Sequence, residues 1–85
     1  MNRYGNTAFS RLLLLSKDCE NAPKNDILND MFCLRTQYDL KKMGLSKTHD
    51  RVLEGIFNNN DGILCNSLYI FLFKLGNSQR IYQKN

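Results

Sequence analysis

The strongest constraint on the fold is an apolar stripe at helical spacing in the middle of the sequence. The residues of this stripe recur at steps of three or four: Leu45, His49, Val52, Leu53, Ile56 and Phe57. Gly44 stands before the stripe, and glycine adopts positive φ angles at low cost, so Gly44 is expected to end a preceding helix. Ser46 is expected to start the next one. The sequence therefore predicts a helix over roughly 46–57, with this stripe facing the core.

Two further amphipathic helices are predicted before this one. The first covers roughly residues 7–20, with Asn6 or Thr7 as its N-cap, because their side-chain oxygens can accept an otherwise unpaired backbone N–H. The second starts at Asn25 or Asp26 and ends near Arg35 or continues into the next segment. Both helices carry apolar residues on one face, which favours a bundle.

The polar segment 38–43 is predicted to be a short helix. Thr36 is a plausible N-cap, and Leu40 and Met43 are the residues expected to face inward. With Gly44 as the turn, this segment and the helix after it would form a helix-turn-helix-like pair at 36–57.

The apolar segment 63–75 allows two interpretations. As a helix, it would be capped by Asp61 and ended by Gly76. As a hairpin, the aromatic-rich residues 68–73 would pair with residues 80–83 across a turn. Its length and both terminal signals favour the helix. In either form the segment is apolar on all sides, so the domain or a partner must cover it.

The expected architecture is an all-α fold, a small bundle of four to five short helices in a single domain over residues 1–85. The chain has 85 residues, of which 42% are hydrophobic and 24% charged, which suits one small globular domain. The alternative is a winged helix with a C-terminal β-hairpin.

The positive charge is concentrated in two parts of the chain. Residues 35–51 carry five basic and two acidic residues, and the tail adds Lys74, Arg80 and Lys84, while the whole chain has a net charge of +4. Such a distribution suits a polyanion such as nucleic acid. A solvated basic face explains it equally well.

The three cysteines, Cys19, Cys33 and Cys65, are expected to be buried reduced thiols, since their number is odd and they are widely spaced. Reduced thiols indicate a cytoplasmic or nuclear setting, of which the cytoplasm is the expected location. No metal site, cofactor, signal peptide or membrane span is expected, because the ligand clusters and long apolar runs that these require are missing from the sequence.

The segment around Gly44 resembles the helix-turn-helix of phage and plasmid repressors of the Cro and C1 type. The resemblance covers roughly residues 36–76 and rests on Gln37, Met43-Gly44-Leu45, Ser46 and the later Lys74-Leu75-Gly76. It implies a transcription regulator that binds duplex DNA through its second helix, commonly as a homodimer on paired half-sites.

That resemblance assigns DNA contacts to five residues. Arg51 would read guanine, Thr48 would contact a base edge or a phosphate, and Lys41, Lys42 and Lys47 would hold phosphates. Asp50 lies among them and would repel phosphate unless it pairs with a neighbouring cation.

The alternative function is a helical module that inhibits or modulates a partner protein without binding DNA. Asp50 on the presumed reading face and the apolar segment 63–75 favour it. The residues expected to form the interface with a partner or a second copy are Leu68, Ile70, Phe71 and Phe73.

An enzyme is not expected. The single histidine, His49, lies on an apolar helix face, where a core histidine with a hydrogen-bonded ring nitrogen is the common outcome, and no nucleophile accompanies it. Asp26 and Asp30 are four residues apart on one helix, so they could pair as carboxylates, although solvated helix charges are more common.

Overall fold

A computed structural model of the protein describes residues 7–83, with side chains described up to Gln79. The helices are α1 (Ala8–Ser16), α2 (Lys24–Gln37), α3 (Ser46–Phe57) and α4 (Asp61–Gln83), with a short 3₁₀ helix at Cys19–Asn21. The described residues hold no strand, so the all-α prediction is confirmed. The alternative of a C-terminal hairpin wing is wrong, because α4 is helical throughout.

The helices form a four-membered bundle in which each helix packs against two neighbours. Helix α4 packs against α1 and α3, and α2 packs against the same two helices from the opposite side. One apolar core fills the centre. Its fully buried side chains come from all four helices: Leu12, Ile27, Met31, Leu34, Val52, Leu64, Leu68, Phe71 and Leu75.

Local hydrogen bonds fix where the first two helices begin. The Thr7 hydroxyl accepts a hydrogen bond from the Ser10 backbone N–H at 3.2 Å, which confirms Thr7 as the first cap. The alternative cap, Asn6, lies outside the described residues. Helix α2 starts before Asn25, and Pro23 is its N-cap. Proline fits there because its φ of −64° is already suited to a helix start and its missing N–H is not needed.

The predicted stripe of α3 lies against the core along most of its length. Leu45, His49, Val52 and Ile56 are buried, and Leu53 is half-buried, but Phe57 is 63% exposed, which corrects its assignment to the core. Phe57 is the last residue of the helix, where the chain turns away.

His49 is held inside the core as the sequence predicts. Its Nε2–H donates to the Met31 carbonyl oxygen at 2.8 Å, and its ring meets Phe71 edge to face at 5.5 Å. Since a carbonyl can only accept, Nε2 carries the proton in this bond. His49 therefore joins α3 to α2 and α4.

The short helix predicted over 38–43 is instead a single turn, part of a run of turns between α2 and α3. Thr36 does not cap it, because Thr36 lies within α2. The capping oxygen comes from Asp39, whose Oδ1 accepts from the Lys42 backbone N–H at 3.1 Å. The helix-turn-helix-like pair thus lacks a full first helix, and the eight residues between α2 and α3 exceed the tight turn of that motif.

Gly44 ends this turn as the sequence predicts. Its φ is +73°, and its N–H donates to the Lys41 carbonyl at 3.1 Å. The next N–H, of Leu45, donates to the Leu40 carbonyl at 2.8 Å, which completes a Schellman motif. Leu40 and Leu45 are both buried, so the turn is fixed to the core on both sides.

Helices α3 and α4 approach each other closely at Gly55. A Cβ atom built on Gly55 would lie 2.5 Å from both the Cα and the backbone nitrogen of Leu64. Real Cβ atoms do not approach backbone this closely, so only glycine allows the two helices to cross at this distance.

Two asparagines stabilise the loop between α3 and α4 and the start of α4. Asn59 adopts a φ of +52°, a conformation that asparagine tolerates better than most residues. The Asn60 side chain caps α4 by accepting from the Ile63 N–H at 3.1 Å, so Asp61 is the first helical residue and not the predicted cap. Helix α4 also continues past Gly76, which does not end it.

A disulfide joins Cys19 to Cys65, 46 residues apart, with their Cα atoms separated by 5.7 Å. The prediction of reduced thiols is therefore wrong for these two residues, while Cys33 is half-buried and not disulfide-bonded. The pairing has no local sequence signal, because it depends on α1 and α4 being antiparallel neighbours. The disulfide fixes the 3₁₀ helix that follows α1 against α4.

An ion pair between the exposed Arg11 and the buried Asp30 joins α1 to α2. Asp30 is 3% exposed, and its carboxylate accepts from the Nη2 and Nε groups of Arg11 at 2.8 and 3.1 Å. This hydrogen bond raises the pKa of Arg11 above its ordinary value. Asp30 is therefore a buried, paired charge, which corrects its interpretation as a solvated helix residue, whereas Asp26 is exposed.

Candidate interaction surface

The structure places the five predicted DNA-contact residues on the turn before α3 and on the first two turns of α3. Lys41 and Lys42 are exposed on the turn before α3, and Lys47 and Arg51 are exposed on the first two turns of α3. Thr48 is half-buried beside them. Arg51 also lies 3.9 Å from the carboxylate of Glu54, a long contact between two exposed side chains.

Only Lys41 of these five lines the adjacent cleft of about 390 Å³ between α2, the turn and α3. The cleft mixes both signs of charge: it is lined by Arg35, Tyr38, Asp39, Leu40, Lys41, Ser46, His49 and Asp50. Two carboxylates in such a cleft oppose the entry of a phosphate backbone. The basic residues thus form an exposed strip and not a pocket.

The four residues predicted as an interface divide into two pairs. Leu68 and Phe71 are fully buried in the core of this chain, so they are not available on its surface. Ile70 and Phe73 are exposed, at 37% and 62%. The division follows the helical period, since residues 68 and 71 lie on the inner face of α4 and residues 70 and 73 on its outer faces.

Phe73 forms one wall of an apolar groove, which we call the α1–α4 groove. Its volume is about 200 Å³, and it is lined by Leu13, Ser16, Tyr69, Leu72 and Phe73. Leu72 is buried and forms the floor. Leu13 and Ser16 come from α1, so the groove follows the seam between two packed helices.

The walls of the groove are large apolar side chains that are exposed to solvent. Tyr69 and Phe73 stand one helical turn apart on α4, and they are 69% and 62% exposed. Leu13 lines the groove from α1 and is 41% exposed. Leu14 is 66% exposed on the next face of α1. Scattered exposed apolar residues are ordinary, but a contiguous set around a groove is typical of an interaction site.

Both ends of the groove are held by contacts between its two helices. At one end the Cys19–Cys65 disulfide joins the segment after α1 to α4. At the other end a Cβ on Gly76 would lie 3.6 Å from the Phe9 ring, an ordinary van der Waals distance, so α1 and α4 are in contact there. Phe9 pairs with residue 76 and Cys19 with residue 65, so the two helices run antiparallel. A groove fixed at both ends needs little reorganisation to bind a ligand.

A second cavity, of about 380 Å³, lies on the other side of α1, where it is lined by Arg11, Leu14, Leu15, Asp26, Asn29 and Asp30. The Arg11–Asp30 pair occupies its wall and already satisfies the buried carboxylate. This cavity is explained by the packing of α1 on α2.

Sequence reasoning missed Leu13, Ser16 and Tyr69 as members of a site. A usable signal was the run of four leucines from Leu12 to Leu15. A helix of nine residues with one buried face cannot turn four consecutive leucines inward, so some of them must be exposed or covered by a partner. Tyr69 stands four residues before Phe73, which places both on one helix face.

No family model matches this chain. Neither the curated proteins nor the solved structures provide a significant match either. Among the described residues, no group of three or more side chains is arranged to hold a metal ion. Within the same part of the chain, no helix has both the length and the apolar character needed to cross a membrane.

Proposed function

We propose that this protein is a small protein-binding module that inhibits or modulates a partner by docking it in the α1–α4 groove. The observation that carries the proposal is the pair of aromatic side chains, Tyr69 and Phe73, that stands exposed along the groove. Exposed aromatic residues beside a preformed groove are the usual anchors of protein interfaces.

The disulfide also supports binding to a protein over binding to DNA. Disulfides persist in oxidising compartments and are rare where thioredoxin and glutathione keep thiols reduced. The Cys19–Cys65 bond thus favours an oxidising location over the cytoplasm that the sequence predicts. Transcriptional repressors act in the reducing compartment. The disulfide and the exposed aromatic pair therefore both favour binding to a protein over binding to DNA.

Replacing Tyr69 and Phe73 together by serine is expected to weaken binding to the groove about thirtyfold or more, the effect typical of removing interface anchors. The probe is a labelled synthetic helical peptide with leucine at positions i, i+3, i+4 and i+7 and glutamine on its other faces. Its affinity is measured by fluorescence anisotropy. Amide chemical shifts of the labelled protein locate the binding surface.

The matched control for this test is Phe57→Ser. Phe57 is as exposed as Phe73 but lies at the end of α3, beside the loop to α4. This variant is expected to bind the peptide like the parent protein, and the free energy of unfolding should change by less than about 1 kcal/mol for both surface variants. Peptide affinity that survives the loss of Tyr69 and Phe73, or chemical shifts confined to another face, contradicts the proposal.

A second candidate function is binding of duplex DNA through the exposed basic strip. The observation in its favour is that Lys41, Lys42, Lys47 and Arg51 are all exposed on the turn and the adjoining face of α3. In this role the protein would be a transcription regulator that binds duplex DNA as a homodimer, with Thr48 beside the cations. The exposed carboxylates of Asp39 and Asp50 on the same side weaken the attraction for phosphate.

Changing Lys41, Lys42, Lys47 and Arg51 to glutamine, singly and together, is expected to weaken binding to mixed duplex DNA at low salt stepwise with each charge removed. If each cation holds one phosphate, the slope of log affinity against log salt should fall by roughly 0.9 per residue removed. Anisotropy of a labelled duplex across a salt series measures both quantities. The control variant is Lys17→Gln/Lys74→Gln, which removes charge from another surface. No binding by the parent protein at low salt, or an equal loss in the control, would refute a specific role for the strip.

A further inference from the structure

We propose that the α1–α4 groove binds an amphipathic α-helix of a second protein, and that acidic residues flank the apolar stripe of this helix. This inference rests on the binding role proposed above. The proposal joins three observations: the shape of the groove, the charges at its rim and the charge of the chain as a whole.

The shape of the groove selects a helix over an extended peptide. Extended peptides are usually held by main-chain hydrogen bonds to an unpaired sheet edge, and the described residues contain no strand to offer one. The groove instead follows the seam of two antiparallel helices. Tyr69 and Phe73 stand one helical turn apart along it, which matches the spacing of side chains on a docked helix.

The charged residues next to the groove residues in the chain are two lysines. Among the groove residues and their immediate neighbours in the chain, the charged members are Lys17 and Lys74, and both are exposed. Asp18 comes next after Lys17 and keeps its negative charge, but it is one position further from the groove, and its carboxylate is held toward its own segment by the side-chain amide of Asn21 at 3.1 Å. Because α1 and α4 are antiparallel, the two lysines stand near opposite ends of the groove. Acidic residues on both flanks of a bound helix would meet them.

The same charges argue against a second copy of this chain as the occupant. A symmetric dimer brings the same surface of each copy together, so the lysines of one rim would face the lysines of the other. The net charge of +4 adds a general repulsion between copies. An acidic partner gains attraction from both features.

Three synthetic peptides test the proposal. They share the leucine stripe described above and carry glutamate, glutamine or lysine at the flanking positions. The glutamate peptide is expected to bind about fivefold to tenfold more tightly than the glutamine peptide at low salt, since two exposed charge pairs contribute modestly, and the lysine peptide should bind most weakly. In the variant Lys17→Gln/Lys74→Gln the three affinities should converge, and rising salt should bring them together in the parent protein.

The outcomes separate this inference from the proposed function. Equal binding of all three peptides at the groove overturns the acidic partner and leaves the binding role intact. Absence of binding by every peptide overturns both. Concentration-dependent dimers in light scattering that disappear in the Tyr69→Ser/Phe73→Ser variant would assign the groove to a second copy and overturn the proposal of an acidic helix.

Discussion

Gly55→Ala is expected to lower the free energy of unfolding by about 3 kcal/mol, even though alanine favours helix by about 1 kcal/mol over glycine. The added Cβ would lie 2.5 Å from backbone atoms of Leu64, and backbone cannot move aside as a flexible side chain can. Helices α3 and α4 must separate, and the core between them loses close packing. Urea and thermal unfolding followed by circular dichroism measure the change, with a fall in the melting temperature of roughly 15 °C.

The control for this variant is Gly62→Ala, in the first turn of α4. A Cβ there would meet only the Asn60 side chain, at 3.5 Å, which is ordinary contact. Its stability is expected to equal or slightly exceed that of the parent protein. A Gly55→Ala protein as stable as the Gly62→Ala protein would show that α3 and α4 do not cross as closely as described.

Removal of the disulfide in a Cys19→Ser/Cys65→Ser variant is expected to cost about 4 kcal/mol of stability. The bond closes a loop of 46 residues, and the loss of this constraint enlarges the unfolded ensemble. Domains of this size have total stabilities of roughly 5–15 kcal/mol, so much of the margin would be lost. Urea unfolding of the oxidised parent protein and of the variant measures the difference.

Cys33→Ser provides the control, because it removes a cysteine and leaves the disulfide in place. It should remain sensitive to a reducing agent, as the parent protein is, whereas the double variant should not respond. Thiol titration supplies an independent check, with one reactive thiol per denatured molecule expected in the absence of reductant. Three thiols in the protein isolated under oxidising conditions would rule out the disulfide.

The parts of the fold that could be predicted are those fixed by local patterns. The α3 stripe and the end at Gly44 each depend on residues within a few positions of one another, so periodicity and glycine conformation were enough. Gly76 shows the limit of the same rule. A glycine can also lie within a helix. The contact of Gly76 with Phe9 depends on how α1 packs on α4, which the local sequence does not show.

The candidate site could be predicted only in part, because its walls come from distant segments. Phe73 was recognised from its own apolar segment, but Leu13 and Tyr69 become neighbours only when α1 packs antiparallel to α4. The same packing pairs Cys19 with Cys65 and decides which residues of α4 are buried. The burial of Asp30 could not be predicted for the same reason, because its ion-pair partner, Arg11, is 19 residues away in the sequence.

The distance in sequence between the two walls of the groove has a consequence for synthesis of the protein. The leucine-rich α1 is synthesised before α4, and Cys65 of α4 follows Cys19 by 46 residues. At ordinary translation rates this delay is roughly 2 to 9 s. During that time α1 has no α4 to cover Leu12, so the nascent chain presents an unprotected apolar helix. Only when α4 has been made can it cover the inner face of α1 and complete the α1–α4 groove.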